Sequence, residues 1–410
     1  MRVEALSGWT PQQKKVVTAA FLGWMLDAFD YFIVVFVLKD IAKDFGTQVP
    51  AVSYALFLTL AMRPLGAFLF GRAADRYGRR PILMLDVLLY STLEFASGFA
   101  PDLTALLILR ALYGIAMGGE WGVGASLTME SIPPQARGMV SGLLQAGYPS
   151  GYLLASIVYW VLFPVIGWRG MFMVGMLPAL LVLYIRRHVP ESPHWRREAP
   201  QRGGTLAVLR NHWKLAVYAV ALMTLFNFFS HGTQDLYPTF LQKQHGLGHG
   251  TVSTIAVIYN IGALFGGVFV GSLSERIGRR RAIILAALLS LPIAPLWAMA
   301  GTPVSLAVTA FLMQVMVQGA WGVVPAHLNE LSPPEARATF PGFVYQLGNL
   351  FAAINAPLQS SIAERLGNNY GLVMGVVAAV VAVLIAALTY FGMEAKGVSF
   401  ERRSERLQQG

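Results

Sequence analysis

One stretch of this 410-residue chain sets chemistry inside otherwise apolar sequence: Asn227-Phe228-Phe229-Ser230-His231-Gly232-Thr233-Gln234-Asp235. With 3.6 residues per helical turn, Asn227, Ser230, His231, Gln234 and Asp235 fall on one stripe. A charge at the centre of a bilayer costs ~2.5–3.5 kcal/mol on the insertion scale, so a membrane helix keeps such groups only toward protein or water. The stripe therefore reads as the wall of a polar cavity in a membrane bundle, a pathway for a hydrophilic solute. Histidine titrates nearest neutrality, so His231 or Asp235 is a candidate proton carrier. Orienting solute oxygens, a gate at Asp235, or a purely structural network are the other readings. No third ligand accompanies the pair, so no metal site is expected.

Other polar groups interrupt other apolar runs. Arg63 sits mid-span in Leu60-Ala61-Met62-Arg63-Pro64-Leu65-Gly66. A guanidinium cannot escape burial by losing its proton, so it needs an anion: a protein carboxylate in a permanent pair, or a solute carboxylate held bidentately. Asp27 and Asp30 share a helix face, and Arg110 lies in a later span. Gln346 and Asn349, three apart, offer amides that donate and accept without adding charge, for a solute or for helix–helix hydrogen bonds. Gln145 is a weaker counterpart. Glu120 reads as a second proton station or a partner for loop arginines, and Glu94 is equally open. Gly114-x-x-x-Gly118-x-x-x-Gly122 reads as close helix packing. No stacking site is expected of the aromatic residues.

The elements that must position these groups are membrane spans. Hydrophobic residues make up 55% of the chain and charged residues 13%, about half the ~25% usual in soluble domains; mean hydropathy is +0.55. Twelve apolar stretches, beginning at Val16, Ala51, Ile82, Leu103, Val140, Met171, Leu215, Val252, Ile283, Pro303, Phe343 and Leu372, approach the ~20 residues that cross ~30 Å of hydrocarbon. The net charge of +10 does not point to nucleic acid, because its arginines cluster in alternate loops. They are Arg72, Arg76, Arg79 and Arg80, then Arg186 to Arg210, then Arg276 to Arg281, then Arg402, Arg403 and Arg406. By the positive-inside rule both termini and the central loop are cytoplasmic. The first apolar run is of span length and reads as retained, not as a cleaved signal. With no cysteine, disulfides and thiolate chemistry are excluded.

The chain repeats at an offset of 200. Gly71 to Arg80 answers Gly271 to Arg280, Gly119-Glu120-Trp121-Gly122 answers Gly319-Ala320-Trp321-Gly322, and Glu130 to Arg137 answers Glu330 to Arg337. Two six-helix halves in parallel follow: residues 1–187, a polar linker 188–212, and residues 213–410. Transporters built from such halves bind solute near the midplane and rock around it. The matched loop charges, Asp75, Arg79, Arg80, Glu130, Arg137 and Glu191 with Glu275, Arg279, Arg280, Glu330 and Arg337, are expected to form ion pairs between the bundles and close the cytoplasmic side. Single exposed pairs contribute only ~0–1 kcal/mol, but a network biases a two-state equilibrium.

Gly-x-x-x-Asp-Arg-x-Gly-Arg-Arg after the second span resembles the signature loop of the major facilitator superfamily. Glu130 with Arg137, and Pro190-Glu191-Ser192-Pro193, look like motifs of its sugar-porter and metabolite:proton branches. The stripe, extended through Thr239 as Asn-x-x-Ser-His-x-Thr-Gln-Asp-x-x-x-Thr, is similar to the seventh-helix signature of yeast-type lactate/pyruvate:proton permeases in the sialate:proton symporter group. The resemblance covers nearly the whole chain. It implies an all-α membrane protein of twelve transmembrane helices in two pseudo-symmetric six-helix bundles. It further implies a symporter of a short monocarboxylate and protons, working by alternating access, monomeric, without cofactor, in the cell (inner) membrane. On that resemblance Arg63 binds the substrate carboxylate, Asp27 and Arg110 form the protonation pair, and Gln346 and Asn349 contact substrate with Asn227, His231 and Gln234. Asp30, Glu120 and Asp235 join the proton-coupling set. A sialate or aromatic-acid symporter is the nearest alternative. A non-transporting sensor is a remote one, and an enzyme is not expected, since no Gly-x-Ser-x-Gly, His-Glu-x-x-His or phosphate loop occurs.

Overall fold

The computed structural model describes residues 9–47, 49–192 and 210–397. Most of the expected linker, and Arg402, Arg403 and Arg406 of the tail, lie outside the described residues. The first half runs α1 (Pro11–Asp44), α2 (Val49–Tyr77), α3 (Arg79–Ser97), α4 (Leu103–Ser131), α5 (Arg137–Gln145), α6 (Gly147–Val174) and α7 (Ala179–His188). The second runs α8 (Trp213–Gln234), α9 (Tyr237–Lys243), α10 (His249–Ile277), α11 (Arg279–Met299), α12 (Pro303–Trp321), α13 (Val324–Leu331), α14 (Thr339–Ala352), α15 (Asn355–Arg365) and α16 (Tyr370–Phe391).

Among the described residues eight helices are long and apolar enough to cross a bilayer, and a pair bent by 104°, Pro134–Tyr159 with Val161–Val174, adds a ninth. The remaining crossings are those that polar groups or breaks interrupt: α3 with buried Asp86 and Glu94, the short α7, and α14 followed by α15. Together they make the twelve-helix, two-bundle architecture that the repeat implies. Boundaries are written locally. Thr10 closes a capping box on Gln13 before Pro11, Thr302 does the same with Ser305 before Pro303, and Asp102 caps α4 through the Ala105 N–H. These side chains satisfy the orphan N–H groups of a helix start.

The glycine ladder of α4 lets α2 approach backbone to backbone. A Cβ at Gly118 would collide with the Arg63 carbonyl oxygen. Small residues at a membrane helix interface permit this contact, and here it sets the depth and rotation of Arg63.

The repeat appears as matched geometry at the end of the bundle that carries the arginine-rich loops. Arg79 bonds Glu130 at 3.0 Å and Arg279 bonds Glu330 at 2.9 Å. Gly78 and Gly278 turn the chain at φ 112° and 98°, a conformation natural to glycine. A carboxylate then seats on each following helix start. Glu191 accepts from the Arg79 N–H at 3.0 Å and the Arg80 N–H at 3.2 Å; Glu394 accepts from the Arg279 N–H at 3.0 Å and the Arg280 N–H at 3.1 Å. Glu394 is the partner of Glu191 that the sequence reading missed, because it lies outside the aligned motifs.

The expected ion pairs between bundles are corrected here. Arg79 and Arg279 pair within their own halves, Arg80 and Arg280 donate to the Arg186 and Tyr390 carbonyls, and Arg137–Glu330 at 3.7 Å is an ion pair that does cross between the halves. What joins the bundles is an acid on a helix N-terminus. Asp75 accepts from the Ala338 N–H (3.0 Å), the Thr339 N–H (3.1 Å) and the Thr339 hydroxyl (2.6 Å), at the start of α14. Glu275 accepts from the Gly138 N–H at the start of α5. The reason is electrostatic. A helix start presents unpaired N–H groups and a partial positive charge, and the arginines are already held by carboxylates of their own half. Ser126 donates to the Arg337 carbonyl at 2.8 Å, and the Ala326 N–H donates to Ser141 at 3.0 Å, completing the seal.

Two outcomes are expected. A hydrogen bond to a charged group contributes ~1.5–3 kcal/mol, so Asp75→Asn should shift the closed end toward opening by roughly tenfold or more. In a Ser141→Cys background this should read as faster labelling by a membrane-impermeant thiol reagent; an unchanged rate would contradict the clamp. Burial raises the Glu394 carboxyl, but the N–H groups of Lys396, Arg279 and Arg280 and the nearby His327 outweigh it and hold it below its ordinary 4.5. The stabilisation is therefore present above about pH 4.5 and lost as pH falls through the lowered value. Melting temperatures should show Glu394→Gln less stable than the parent at pH 7, by ~0.3–1 kcal/mol, with the gap closing in acid.

Candidate functional site

Away from the arginine-rich loops, a cavity of about 460 Å³ opens between the halves. Tyr31 and Phe32 of α1 and Tyr148 and Tyr152 of α6 face His231, Gln234 and Asp235 of α8, Asn260 of α10 and Asn349 of α14. Toward the middle it narrows to a chamber of about 30 Å³ lined by Trp24, Tyr31, Arg63, Gln145, Tyr148, Asn227, Ser230, His231, Gln318, Trp321, Tyr345 and Asn349. That is room for one or two waters, so a solute bound there must displace water or widen the chamber.

The α8 stripe faces this path along its length. Asn227 lies deepest, its amide donating to the Met223 carbonyl at 2.8 Å. His231 stands where chamber and cavity meet, 3.2 Å from Asp235. Two residues that sequence reasoning missed hold the stripe. Gln318 donates to Ser230 at 2.9 Å; Gln314 donates to Thr233 at 3.0 Å and accepts from Gln234 at 2.7 Å. Both lie on α12, four residues apart in an apolar run, and that spacing was the available signal. Asn349 borders both compartments, whereas Gln346, three residues away, is buried with its carbonyl oxygen unpartnered and borders neither.

The aromatic residues around the chamber pack on one another. Trp24 stacks on Tyr148 with ring centroids 5.7 Å apart, Trp121 contacts Tyr345 at 4.6 Å, and Trp321 contacts Tyr345 at 5.5 Å. Trp321 of the repeat-related pair lines the chamber, and Trp121 packs on the lining residues Trp24 and Tyr345. Such contacts contribute ~0.5–1.5 kcal/mol each beyond area burial.

Arg63 is 4% exposed. Its Nη2 donates to the Met117 sulfur at 2.7 Å, and its guanidinium lies 5.4 Å from the Tyr31 ring centre. Among the described residues no carboxylate is in salt-bridge contact with it, though Asp27 is its foremost favourable electrostatic neighbour. A thioether is a weak acceptor, so the cation is left with capacity for an anion on its chamber side.

Behind Arg63, inside the first half, lie Asp27, Asp30 and Glu120, each at most 1% exposed. The pairing of Asp27 with Arg110 is corrected. Arg110 bonds Glu94 at 2.6 Å and Ser97 at 2.9 Å, and both Asp27 oxygens lack a hydrogen-bond partner among the described residues. Glu94 prevails because, sixteen residues earlier, it meets Arg110 across the α3–α4 hairpin, while Asp27 points toward Arg63 and Glu120. Glu120 accordingly interacts with Asp27, Asp86 and Arg63 and not with the loop arginines. No cluster of three or more metal-ligating side chains occurs among the described residues.

This geometry, two six-helix bundles closed at one end with a polar cavity open at the other, has counterparts among known proteins. The sequence matches the profile described as Major Facilitator Superfamily over residues 20–248 and 220–408. The chain belongs to the Major Facilitator Superfamily. It is a transporter and not an enzyme. Within the superfamily it is 30% identical to the sialic acid transporter NanX of Escherichia coli (strain K12), over 88% of this chain and 89% of that one. It is 28% identical to a carboxylic acid transporter protein homolog of Saccharomyces cerevisiae, over 84% of this chain and 60% of the longer relative. Its fold superposes on the proton:xylose symporter XylE bound to 6-bromo-6-deoxy-D-glucose with a TM-score of 0.79 at 19% identity, covering 97% and 99% of the two chains.

Single cysteines can be placed without background, since the chain has none. Asn227→Cys, His231→Cys and Asp235→Cys should react with a small aqueous thiol reagent. Phe226→Cys and Phe229→Cys, at positions fully buried away from the cavity, should react slowly. Equal rates around the helix would remove α8 from the pathway.

Proposed function

We propose that this superfamily member is a proton-coupled symporter of a short monocarboxylate of the lactate or pyruvate type, working by alternating access. The observation that carries the reading is Arg63: a permanent cation at the chamber wall, unpaired on that side, with a buried carboxylate behind it. The seventh-helix motif supports the size class of the anion. Its hydroxyl or keto oxygen would meet His231, Asn227 and Asn349, and its carboxylate would take the Arg63 fork, a bidentate geometry that guanidinium suits. Substrate that engages Arg63 withdraws it from Asp27, and a carboxyl relieved of its cation in a desolvated site takes up a proton. That exchange links solute to proton. We place the arginine-rich loops and both termini in the cytoplasm and the protein in the cell membrane, on the positive-inside rule, so the cavity faces outward in this structure.

The second reading is a sialate or aromatic-acid symporter. It is favoured by the 30% identity to the sialic acid transporter NanX and by the cavity of about 460 Å³ with its aromatic walls. Counterflow of labelled lactate against labelled sialate in proteoliposomes separates the two.

Concentrative uptake of lactate is expected with an inward proton gradient and not without one. Arg63→Lys keeps the charge and loses the fork, so apparent affinity should fall about tenfold or more, equivalent to ~1.4 kcal/mol; near-normal affinity in both Arg63→Lys and Arg63→Gln would remove the assignment. Asp27→Asn should still exchange lactate but not concentrate it. Full concentration by that variant would move the proton site elsewhere.

A further inference from the structure

The first half buries more acid than the coupling reading uses. Asp27, Asp30, Asp86, Glu94 and Glu120 are each at most 1% exposed, and the buried guanidiniums set among them are Arg63 and Arg110; Arg79 and Arg137, also buried in this half, pair with Glu130 and Glu330 at the arginine-rich end. None of the five carboxyls borders the cavity or chamber. Asp86, Tyr90 and Glu94 are spaced by four on α3 and so share one face. Asp86 lies toward the arginine-rich end of the helix and Glu94 toward the other. Both Asp86 oxygens lack a hydrogen-bond partner among the described residues, as does the Tyr90 hydroxyl, which is fully buried. That hydroxyl lies within electrostatic reach of Glu120, Asp30, Asp27 and Asp86 together. The Asp86 carboxylate also reaches α4 beside Glu120, for a Cβ at Gly119 would meet its Oδ2 at 3.0 Å.

A buried phenol amid four carboxyls has no packing rationale for its oxygen. A buried, unsatisfied hydroxyl is destabilising, and phenylalanine would fill the same volume. A hydroxyl can, however, accept a proton on a lone pair while giving up its own. We propose that Tyr90 is a proton relay inside the first half, passing the proton from Asp27 to the Asp86–Glu120 pair and so toward the arginine-rich end, along a path separate from the substrate cavity. These oxygens are not hydrogen-bonded to one another in this structure, so the step requires Tyr90 to close onto both acids. The Asp27 carboxyl O–H bond then breaks as its proton bonds to the Tyr90 oxygen, in concert with loss of the phenol's own proton. That proton passes to an Asp86 carboxylate oxygen, and the phenol is restored with no net change. The charged groups around this face are Asp27 and Asp30 on α1, Arg63 on α2, and Arg110 and Glu120 on α4; α7 packs on it through Leu181 and Ile185. Two guanidiniums balance two of the five carboxylates, and protons are the remaining counter-charge. The relay rests on the proton-coupled reading above.

The test uses purified full-length protein in vesicles with an entrapped pH dye and labelled lactate, or labelled sialate if counterflow selects that anion. Tyr90→Phe and Asp86→Asn should keep substrate counterflow within about twofold of the parent, yet lose about tenfold or more in proton-driven accumulation and in substrate-linked acidification of the lumen. Asp86→Glu, which keeps an ionisable group, should recover most of the loss. A purely structural role for Asp86 would instead be met better by the isosteric asparagine. If the parent accumulates substrate on a proton gradient and Tyr90→Phe matches it, the relay is wrong while the coupling reading stands. If the parent shows no response to the gradient, coupling itself fails, and the relay with it.

Discussion

A guanidinium at mid-membrane with no carboxylate in contact among the described residues is the constraint that orders the rest of this structure. Arg63 keeps its charge under any burial, and the isolated ion would cost several kcal/mol in such a place. The fold manages the charge by partial measures. The Tyr31 ring lies to one side, the Met117 sulfur accepts one N–H, and Asp27 lies close enough to be felt without closing a salt bridge. Backbone contact between α2 and the glycines of α4 prevents the arginine from sliding toward either surface. The cation is left incompletely satisfied, which a full protein ion pair would have prevented, and the proposed anion site rests on that.

Around that point the two halves do unlike work. The first half supplies Arg63 and the buried carboxyls behind it, so charge is concentrated there. The second half supplies amides and hydroxyls together with the His231–Asp235 pair, the α8 stripe being braced by Gln314 and Gln318 of α12. The aromatic floor, shared between Trp24 and Trp121 on one side and Trp321 and Tyr345 on the other, divides this compartment from the sealed end.

The seal obeys the same electrostatics with helix dipoles in place of a ligand. Asp75 and Glu275 each sit on the first N–H groups of a helix in the opposite half. Contacts of this kind are strong when made and are lost together when the halves separate. They suit a latch between two states better than fixed ion pairs would, and the fixed pairs of Arg79 and Arg279 stay within their halves to hold the loops in shape.

The sequence by itself determined the membrane setting, the two halves and the face of α8 that meets water, because hydropathy, the offset of 200 and helical spacing are properties of the chain alone. It also marked Arg63, since a charge in an apolar run is visible without coordinates. Partners were decided only by the tertiary structure. Arg110 chose Glu94 over Asp27, Asp75 took a helix start of the other half while keeping Arg79 of its own, and Gln346 turned away from the path that Asn349 borders. Glu394, Gln314, Gln318 and Tyr90 gained their places from neighbours far along the chain. The physical reason is that spacing along one helix fixes a direction only to within a face. Which group stands opposite depends on how the helices are rotated and how deep they sit, and those are set by packing between them.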